Sequence, residues 1–208
     1  GIYNNTSGTL NISGGQIETY TNQRYGQGSI GIENILGNIT IKNLTMDIKN
    51  NGSKAVDNKQ GNKIIFENNT ITSSSSVVNN EGEIIIESGV FKGYSFSNSG
   101  TVTINDGELI GSSGDWWHFF YNSGTLTMNN GTIQCNSRTD GSEPAAISNT
   151  GTVIINNGNI SSSYVGIDSS KNVTVVGGTI KGNVIGIRNS STLTLGTNDE
   201  VVSNESPI

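Results

Sequence analysis

The feature that most constrains this chain is a short unit that recurs along its whole length. The unit reads apolar-x-Asn, a gap containing Gly, then Thr-apolar-x-apolar, a turn, and Gly-x-apolar. The clearest copies span residues 120–133 and 147–160. Counted from the first apolar residue after the Thr, nine copies begin at Leu10, Ile39, Ile64, Ile84, Val102, Leu126, Val153, Val173 and Leu193. Recurrence of this kind predicts a solenoid.

The copies lie 18 to 29 residues apart, and each holds two or three short alternating strands broken by Asn and Gly. Ile and Val together number 40, whereas Leu and Ala number 10, so β-branched residues far outweigh the best helix formers. These patterns predict an all-β chain folded as a single-stranded parallel β-helix, or β-solenoid, of about nine coils. Parallel crossovers are nearly always right-handed, so we expect a right-handed helix. Residues 1–208 form a single domain in this interpretation, with side chains such as Leu126 and Met128 pointing inward.

One Asn occupies the same place in most copies of the unit. Stacked Asn side chains can bond to each other and to the backbone of the next coil. We therefore expect a structural ladder formed by Asn34, Asn58, Asn80, Asn98, Asn122, Asn149 and Asn189.

Bulk properties exclude several classes of function. The chain carries 11 basic and 17 acidic residues, for a net charge of −6, and no basic cluster, which argues against nucleic-acid binding. No stretch approaches the 18 or so apolar residues of a membrane span, so no membrane insertion is expected. The single Cys135 excludes an internal disulfide, and neither a metal site nor a cofactor is expected. The chain starts and stops in mid-pattern, which we interpret as truncation from a longer protein at both ends.

Units of the form Asn-x-Gly-Thr-Leu-x-Ile-x-x-Gly-x-Ile resemble the β-helical repeats of large cell-surface proteins from Gram-positive, especially clostridial, bacteria. The resemblance covers essentially the whole chain. It implies an adhesin-like head or stalk that is extracellular, at the cell surface or in the cell wall, and whose partner is a polysaccharide or a host surface ligand. It supplies no catalytic residues. The oligomeric state does not follow from the sequence.

Insertions in a solenoid tend to mark its functional face. Long insertions follow the Gly-x-apolar strand at residues 18–28, 112–119 and 135–145, and the last two fall in consecutive coils. Flat aromatic rings stack on sugars, and charged or amide side chains hold hydroxyl groups, so these loops of the fifth and sixth coils predict a carbohydrate site. Its candidate ligand-binding residues are Asp115, Trp116, Trp117, Tyr121, Arg138, Asp140 and Glu143.

A structural interpretation of the same residues stays open. Trp116 or Trp117 could fold back as a lid over the core, since adjacent strand residues point to opposite sides. His118 shares parity with the inward Phe120 and is expected to be packed rather than catalytic. Cys135 shares parity with Ile133 and is expected to be a buried member of the stack.

An enzyme is the alternative, because many polysaccharide lyases and hydrolases are parallel β-helices with acidic and basic residues along one outer strand row. That row reads Glu33, Asp57, Asn79, Ser97, Tyr121, Ser148, Asp168 and Arg188. Glu33 and Asp57 fall in adjacent coils at roughly the separation of a retaining carboxylate pair, but Asp168 is about five coils away and no Lys or Arg is expected beside the pair. We expect two solvated carboxylates and no catalytic residues.

Outward Thr pairs recur at Thr101/Thr103, Thr125/Thr127 and Thr192/Thr194, a pattern similar to that of ice-binding solenoids. Lys63/Ile65, Glu83/Ile85 and Ile154 interrupt the pattern. Because Thr is also a favourable exposed strand residue, the sequence alone favours a purely structural role for these pairs.

Overall fold

The protein is a parallel β-solenoid. The computed structural model describes residues 1–19, 28–49, 52–112, 118–136 and 143–203. Its strands are β1 (Ile2–Ser13), β2 (Gln16–Thr19), β3 (Ile30–Lys42), β4 (Thr45–Ile48), β5 (Lys54–Asn58), β6 (Lys63–Glu67), β7 (Asn69–Ser73), β8 (Ser76–Asn80), β9 (Glu83–Ile86), β10 (Gly89–Gly93), β11 (Ser95–Asn98), β12 (Thr101–Ile104), β13 (Glu108–Gly111), β14 (Phe120–Asn122), β15 (Thr125–Met128), β16 (Thr132–Cys135), β17 (Ala145–Asn149), β18 (Thr152–Ile155), β19 (Asn159–Ser162), β20 (Val165–Ser169), β21 (Val173–Gly182), β22 (Ile185–Asn189) and β23 (Leu193–Ser203).

The strands stack in three parallel faces, because every strand pairs with the equivalent strand of the next turn. Face A begins with the first half of β1 and ends with β22; β11, β14 and β17 lie at its centre. Face B runs from the second half of β1 to the first half of β23 through β12, β15 and β18. Face C runs from β2 to the end of β23 through β13, β16 and β19.

The register on face B confirms the predicted repeat. Leu10 pairs with Ile39, Val102 with Leu126 and Val173 with Leu193, and the intervening repeat starts pair in the predicted order. We number the turns 1 to 9 from these positions. Turns 2 to 8 each have a neighbour on both sides, so about seven turns are enclosed, slightly fewer than the nine equivalent coils that the sequence predicts. The right-handed sense stays a prediction.

Inward side chains from the three faces form one continuous core. Val102, Ile104, Leu126 and Met128 of face B are fully buried, as the alternation predicts. Among the described residues, exposure of the inward side chains rises at the last turn, where Leu193 is 38% and Leu195 is 50% exposed. Ile2 at the first turn is partly exposed. Among the described residues, no helix is long and apolar enough to cross a membrane.

Glycine is required at the corner between faces A and B, because successive turns approach closely there. A Cβ atom on Gly124 would lie 2.0 Å from the carbonyl oxygen of Gly100, and one on Gly100 would lie 2.0 Å from that of Gly82. Backbone atoms cannot move aside as flexible side chains can. The Gly of the Asn-x-Gly pattern is therefore explained by close contact between turns, and not by a positive φ.

Candidate functional site

The predicted Asn side chains lie in the buried corner that follows face A. From Asn34 to Asn149, each Nδ2 donates to the Oδ1 of the next Asn along the stack at 2.7–2.9 Å. Each of these side chains also donates to backbone carbonyls; Asn98, for example, reaches the oxygens of Gly100 and Thr125 at 3.3 and 3.0 Å. These bonds satisfy the amide groups within the fold, so this ladder has a structural role.

Both ends of the ladder differ from the sequence expectation. Asn4 donates to Asn34 at 2.8 Å and so begins the ladder one turn earlier. At the other end Asn149 donates to the hydroxyl of Ser169 at 2.9 Å, and that hydroxyl bonds to the carbonyl of Lys171. Asn189 occupies the next place but bonds to the carbonyl of Ser191, and its own Oδ1 accepts no hydrogen bond from the described residues. Ser169 therefore separates Asn189 from the ladder.

Tyr121 lies on the outside of face A, in the centre of a shallow concavity of about 270 Å³. On its own strand row it stands between Ser97 and Ser148, with which it pairs across β11, β14 and β17. The neighbouring corner adds the hydroxyl groups of Ser99, Ser123 and Thr150. We call this group of six residues the hydroxyl trough. It runs across three consecutive turns and carries no charged residue.

His118 stands beside Tyr121 and is held in one tautomer. Its Nδ1 accepts the backbone N–H of Ala145 at 2.9 Å, and the two rings are 5.8 Å apart in an edge-on arrangement. Burial lowers the pKa of His118, partly opposed by the nearby Asp168 carboxylate, so the ring is neutral near pH 7. Burial also raises the pKa of Tyr121, which keeps its hydroxyl protonated.

The parity argument for His118 fails locally, although the residue is partly buried as expected. Phe119 and Phe120 are both fully buried, so strict alternation is lost at the start of β14. The lost alternation leaves His118 near the outer surface, where it contacts Tyr121. Cys135 is buried and pairs with Gly111 and Ser162 in the stack, at the position that its parity predicts.

A charged cluster lies next to the trough in turns 7 to 9. Arg188 donates to both carboxylate oxygens of Asp168, at 3.1 and 2.8 Å, and also bonds to Glu143. The Tyr164 hydroxyl donates to Glu143 at 3.2 Å. The hydrogen bond from Arg188 and that from Tyr164 lower the pKa of Glu143, and the two carboxylates raise the pKa of Arg188. We call these four residues the Arg188 cluster; Tyr164 and the pairing with Asp168 are absent from the sequence prediction.

Of the seven predicted ligand-binding residues, Tyr121 and Glu143 lie among the described residues, on the same side of the molecule. Asp115, Trp116, Trp117, Arg138 and Asp140 lie outside the described residues. The segments that hold them, 113–117 and 137–142, connect the ends of β13 and β16 to the starts of β14 and β17. Of the described residues that flank these segments, His118 contacts Tyr121 of the trough and Glu143 belongs to the Arg188 cluster.

The acidic pair on face A differs from the sequence expectation. Glu33 and Asp57 are neighbours in register, as predicted, but Asp57 is only 2% exposed. The ammonium groups of Lys54 and Lys59 lie 3.0 and 3.1 Å from its carboxylate, so the expectation that no Lys is near was wrong. Burial acts to raise the pKa of Asp57, but hydrogen bonds from Asn79, Lys54 and Lys59 outweigh it and lower that pKa. A carboxyl group held in its ionised form is a poor general acid.

The Lys partners of Asp57 lie outside its outward strand row, three residues before it and two residues after it in the sequence. Lys54 begins β5 and Lys59 follows it, so both lie on the same turn as the carboxylate.

The described residues contain no group of three or more His, Cys, Asp or Glu side chains that could hold a metal ion.

Comparison with known proteins returned no matching family model, no similar curated protein and no similar solved structure.

Proposed function

We propose that this chain is a non-enzymatic, adhesin-like module that binds a polysaccharide along the outside of face A. The observation that carries the proposal is the hydroxyl trough, an uncharged concavity with a half-buried aromatic ring at its centre. Sugar rings present apolar C–H faces to aromatic side chains and hydroxyl groups to polar ones. Tyr121 supplies the first kind of contact, and Ser97 and Ser148 supply the second. The corner hydroxyls of Ser99, Ser123 and Thr150 donate to backbone carbonyls of the preceding turn, so toward a sugar they act as acceptors.

The trough also suggests how the ligand lies. Equivalent side chains in successive turns are about 4.8 Å apart, which is close to the length of one sugar unit in an extended chain. Ser97, Tyr121 and Ser148 repeat at this spacing along the solenoid axis. A linear polysaccharide parallel to the axis would therefore meet similar groups at each turn, and the Arg188 cluster would meet its end.

The extracellular location, at the surface or in the wall of a Gram-positive bacterium, belongs to the same proposal and rests on the resemblance of the repeats. A stalk that carries another head is compatible with the fold and needs no ligand. A polysaccharide-degrading enzyme has less support, because Asp57 is neutralised by two Lys side chains and Arg188 pairs with Asp168 and Glu143.

A glycan array tests the proposal with the wild-type chain, Tyr121→Ala and the double variant Trp116→Ala/Trp117→Ala. Tyr3→Ala is the matched control, since Tyr3 is exposed on the same outward row five turns away. We expect Tyr121→Ala to weaken binding of a responding glycan about tenfold or more, equivalent to about 1.4 kcal/mol, and Tyr3→Ala to leave it unchanged. Equal binding by all four proteins would place the site elsewhere. Absence of binding by the wild-type chain would favour a stalk, and release of new reducing ends from a polysaccharide would favour an enzyme.

A further inference from the structure

Face B of turns 5 to 9 carries a regular array of uncharged side chains. Thr101, Thr125 and Thr152 pair in one row, and Thr103, Thr127, Ile154, Thr174 and Thr194 pair in the next. Asn172 and Thr192 extend the first row, since their carbonyls accept from Val153 and Val173 of the preceding turns. We call these ten residues the threonine array. No register shift interrupts the pairing within it.

The charged residues that interrupt the Thr pattern in the sequence lie outside this array. Lys63 and Glu83 belong to turns 3 and 4, where they bond to each other at 2.9 Å. Lys171 lies at the corner before Asn172. Five consecutive turns therefore present no charged side chain on this face, a continuity that only the register reveals.

Most side chains of the threonine array are polar, but the described residues do not engage their hydroxyl groups. The hydroxyl groups of its eight Thr residues make no side-chain hydrogen bond to any other described residue, although all of them are at least partly exposed. Each Thr offers a methyl group and a hydroxyl group. The grid repeats at about 4.8 Å between strands and about 6.6 Å between alternate residues of a strand.

A second observation shows that the edge of the array is held in place. Asn105, Asn129 and Asn156 follow the face B strands of turns 5 to 7 and form an outer ladder, Asn156 to Asn129 to Asn105, with bonds of 2.7 Å. Asn105 then donates to Glu87 at 2.8 Å. This exposed ladder links the strand ends of turns 5 to 7, and the continuous parallel pairing of face B keeps the grid in register over all five turns.

We propose that the threonine array binds the surface of ice. A regular, uncharged grid of methyl and hydroxyl groups can hold water molecules at fixed positions, and its two spacings approximate the repeats of an ice plane. Charged side chains would instead order water in hydration shells of their own. No comparable grid exists on the described part of face C, where Lys92, Glu108 and Lys181 point outward.

Inhibition of ice recrystallisation, together with microscopy of single ice crystals, tests the inference. The variant Thr127→Lys places a charge at the centre of the array. Thr132→Lys is its matched control, because Thr132 is an outward residue of face C in the same turn. We expect wild type and Thr132→Lys to halt recrystallisation and to facet ice crystals, and Thr127→Lys to require an about tenfold or higher concentration. Circular dichroism melting curves check that both variants fold.

Two outcomes would overturn the inference. Wild-type protein that affects ice no more than serum albumin at equal concentration lacks the activity. Equal activity of the two Lys variants would show that face B is not the ice-binding surface. If a second copy covers the array instead, sedimentation velocity will show a dimer that Thr127→Lys dissociates, together with no ice activity. The Tyr121→Ala variant, altered on face A, should retain full ice activity, so this test is independent of glycan binding.

Discussion

The buried Asn ladder should stabilise the solenoid far more than the exposed one. Asn98 is 2% exposed and exchanges four hydrogen bonds: it accepts from Asn80 at 2.8 Å and donates to Gly100, Asn122 and Thr125. Its amide has two hydrogens for three acceptors, so Asn98→Ala removes about three net bonds of roughly 1 kcal/mol each. The substitution also leaves the Oδ1 of Asn122 buried without its donor, which costs about 1 kcal/mol of stability in addition. We expect a total loss of about 4 kcal/mol.

Asn129→Ala in the exposed ladder is the matched control. Asn129 also exchanges two Asn–Asn bonds, each of 2.7 Å, but water can replace them, so its loss should be about 0.5 kcal/mol or less. For a chain of this length, 4 kcal/mol lowers Tm by about 8–16 °C. Urea unfolding gives the free energies, provided that the m-value is unchanged. If the two variants differ by less than about 1 kcal/mol, burial of the ladder is not what stabilises the stack.

Two further predictions concern a corner glycine and an ion-paired carboxylate of face A. Gly124→Ala should destabilise the fold by about 3 kcal/mol or more in urea unfolding, because the new Cβ would lie 2.0 Å from the Gly100 oxygen. Gly8→Ala is the control: a Cβ there would have nothing within 4 Å, so its free energy of unfolding should change by less than about 0.5 kcal/mol. Equal effects of the two substitutions would refute the close-contact argument. Asp57 has a lowered pKa in the fold, so its ion pairs contribute stability above its ordinary pKa near 4, and that contribution is lost as pH falls through the folded-state value. Asp57→Asn should therefore cost about 1 kcal/mol at pH 7, a figure reduced for the partial exposure of both Lys side chains. The cost should shrink progressively as the pH is lowered below the ordinary pKa; a difference in Tm that stays constant on acidification would contradict the assignment.

The fold could be predicted because the repeat constrains the inward and corner positions in every turn. An inward residue such as Leu126 meets Val102 and Val153 above and below, so each turn selects the same kind of side chain. A corner residue such as Gly124 has no room for a Cβ. Because of these constraints the sequence pattern is periodic, and the order of strand pairing follows from that period.

The outward residues could be predicted less well, because the repeat does not constrain which outward side chains pair with each other. Lys54 and Lys59 reach Asp57, and Arg188 reaches Glu143 from two turns away, through geometry that no repeat encodes. Ser169 substitutes for Asn in the ladder by donating its hydroxyl to Lys171 instead of onward to Asn189. The adjacent buried rings of Phe119 and Phe120 broke the alternation on which the placement of His118 depended.

The same turns present two unlike surfaces, and this contrast argues that the outside of the solenoid is where function has been shaped. In turns 6 to 9, face A departs from the repeat with an aromatic ring, a neutral His and a paired Arg, while face B repeats uncharged β-branched residues almost without change. Stacking between turns requires neither arrangement, because both sets point away from the core. An irregular trough suits a ligand with distinct chemical groups, such as a polysaccharide, whereas a regular grid suits a partner that is itself periodic. Variants on either face that leave Tm unchanged can therefore test the two proposed activities separately within one protein.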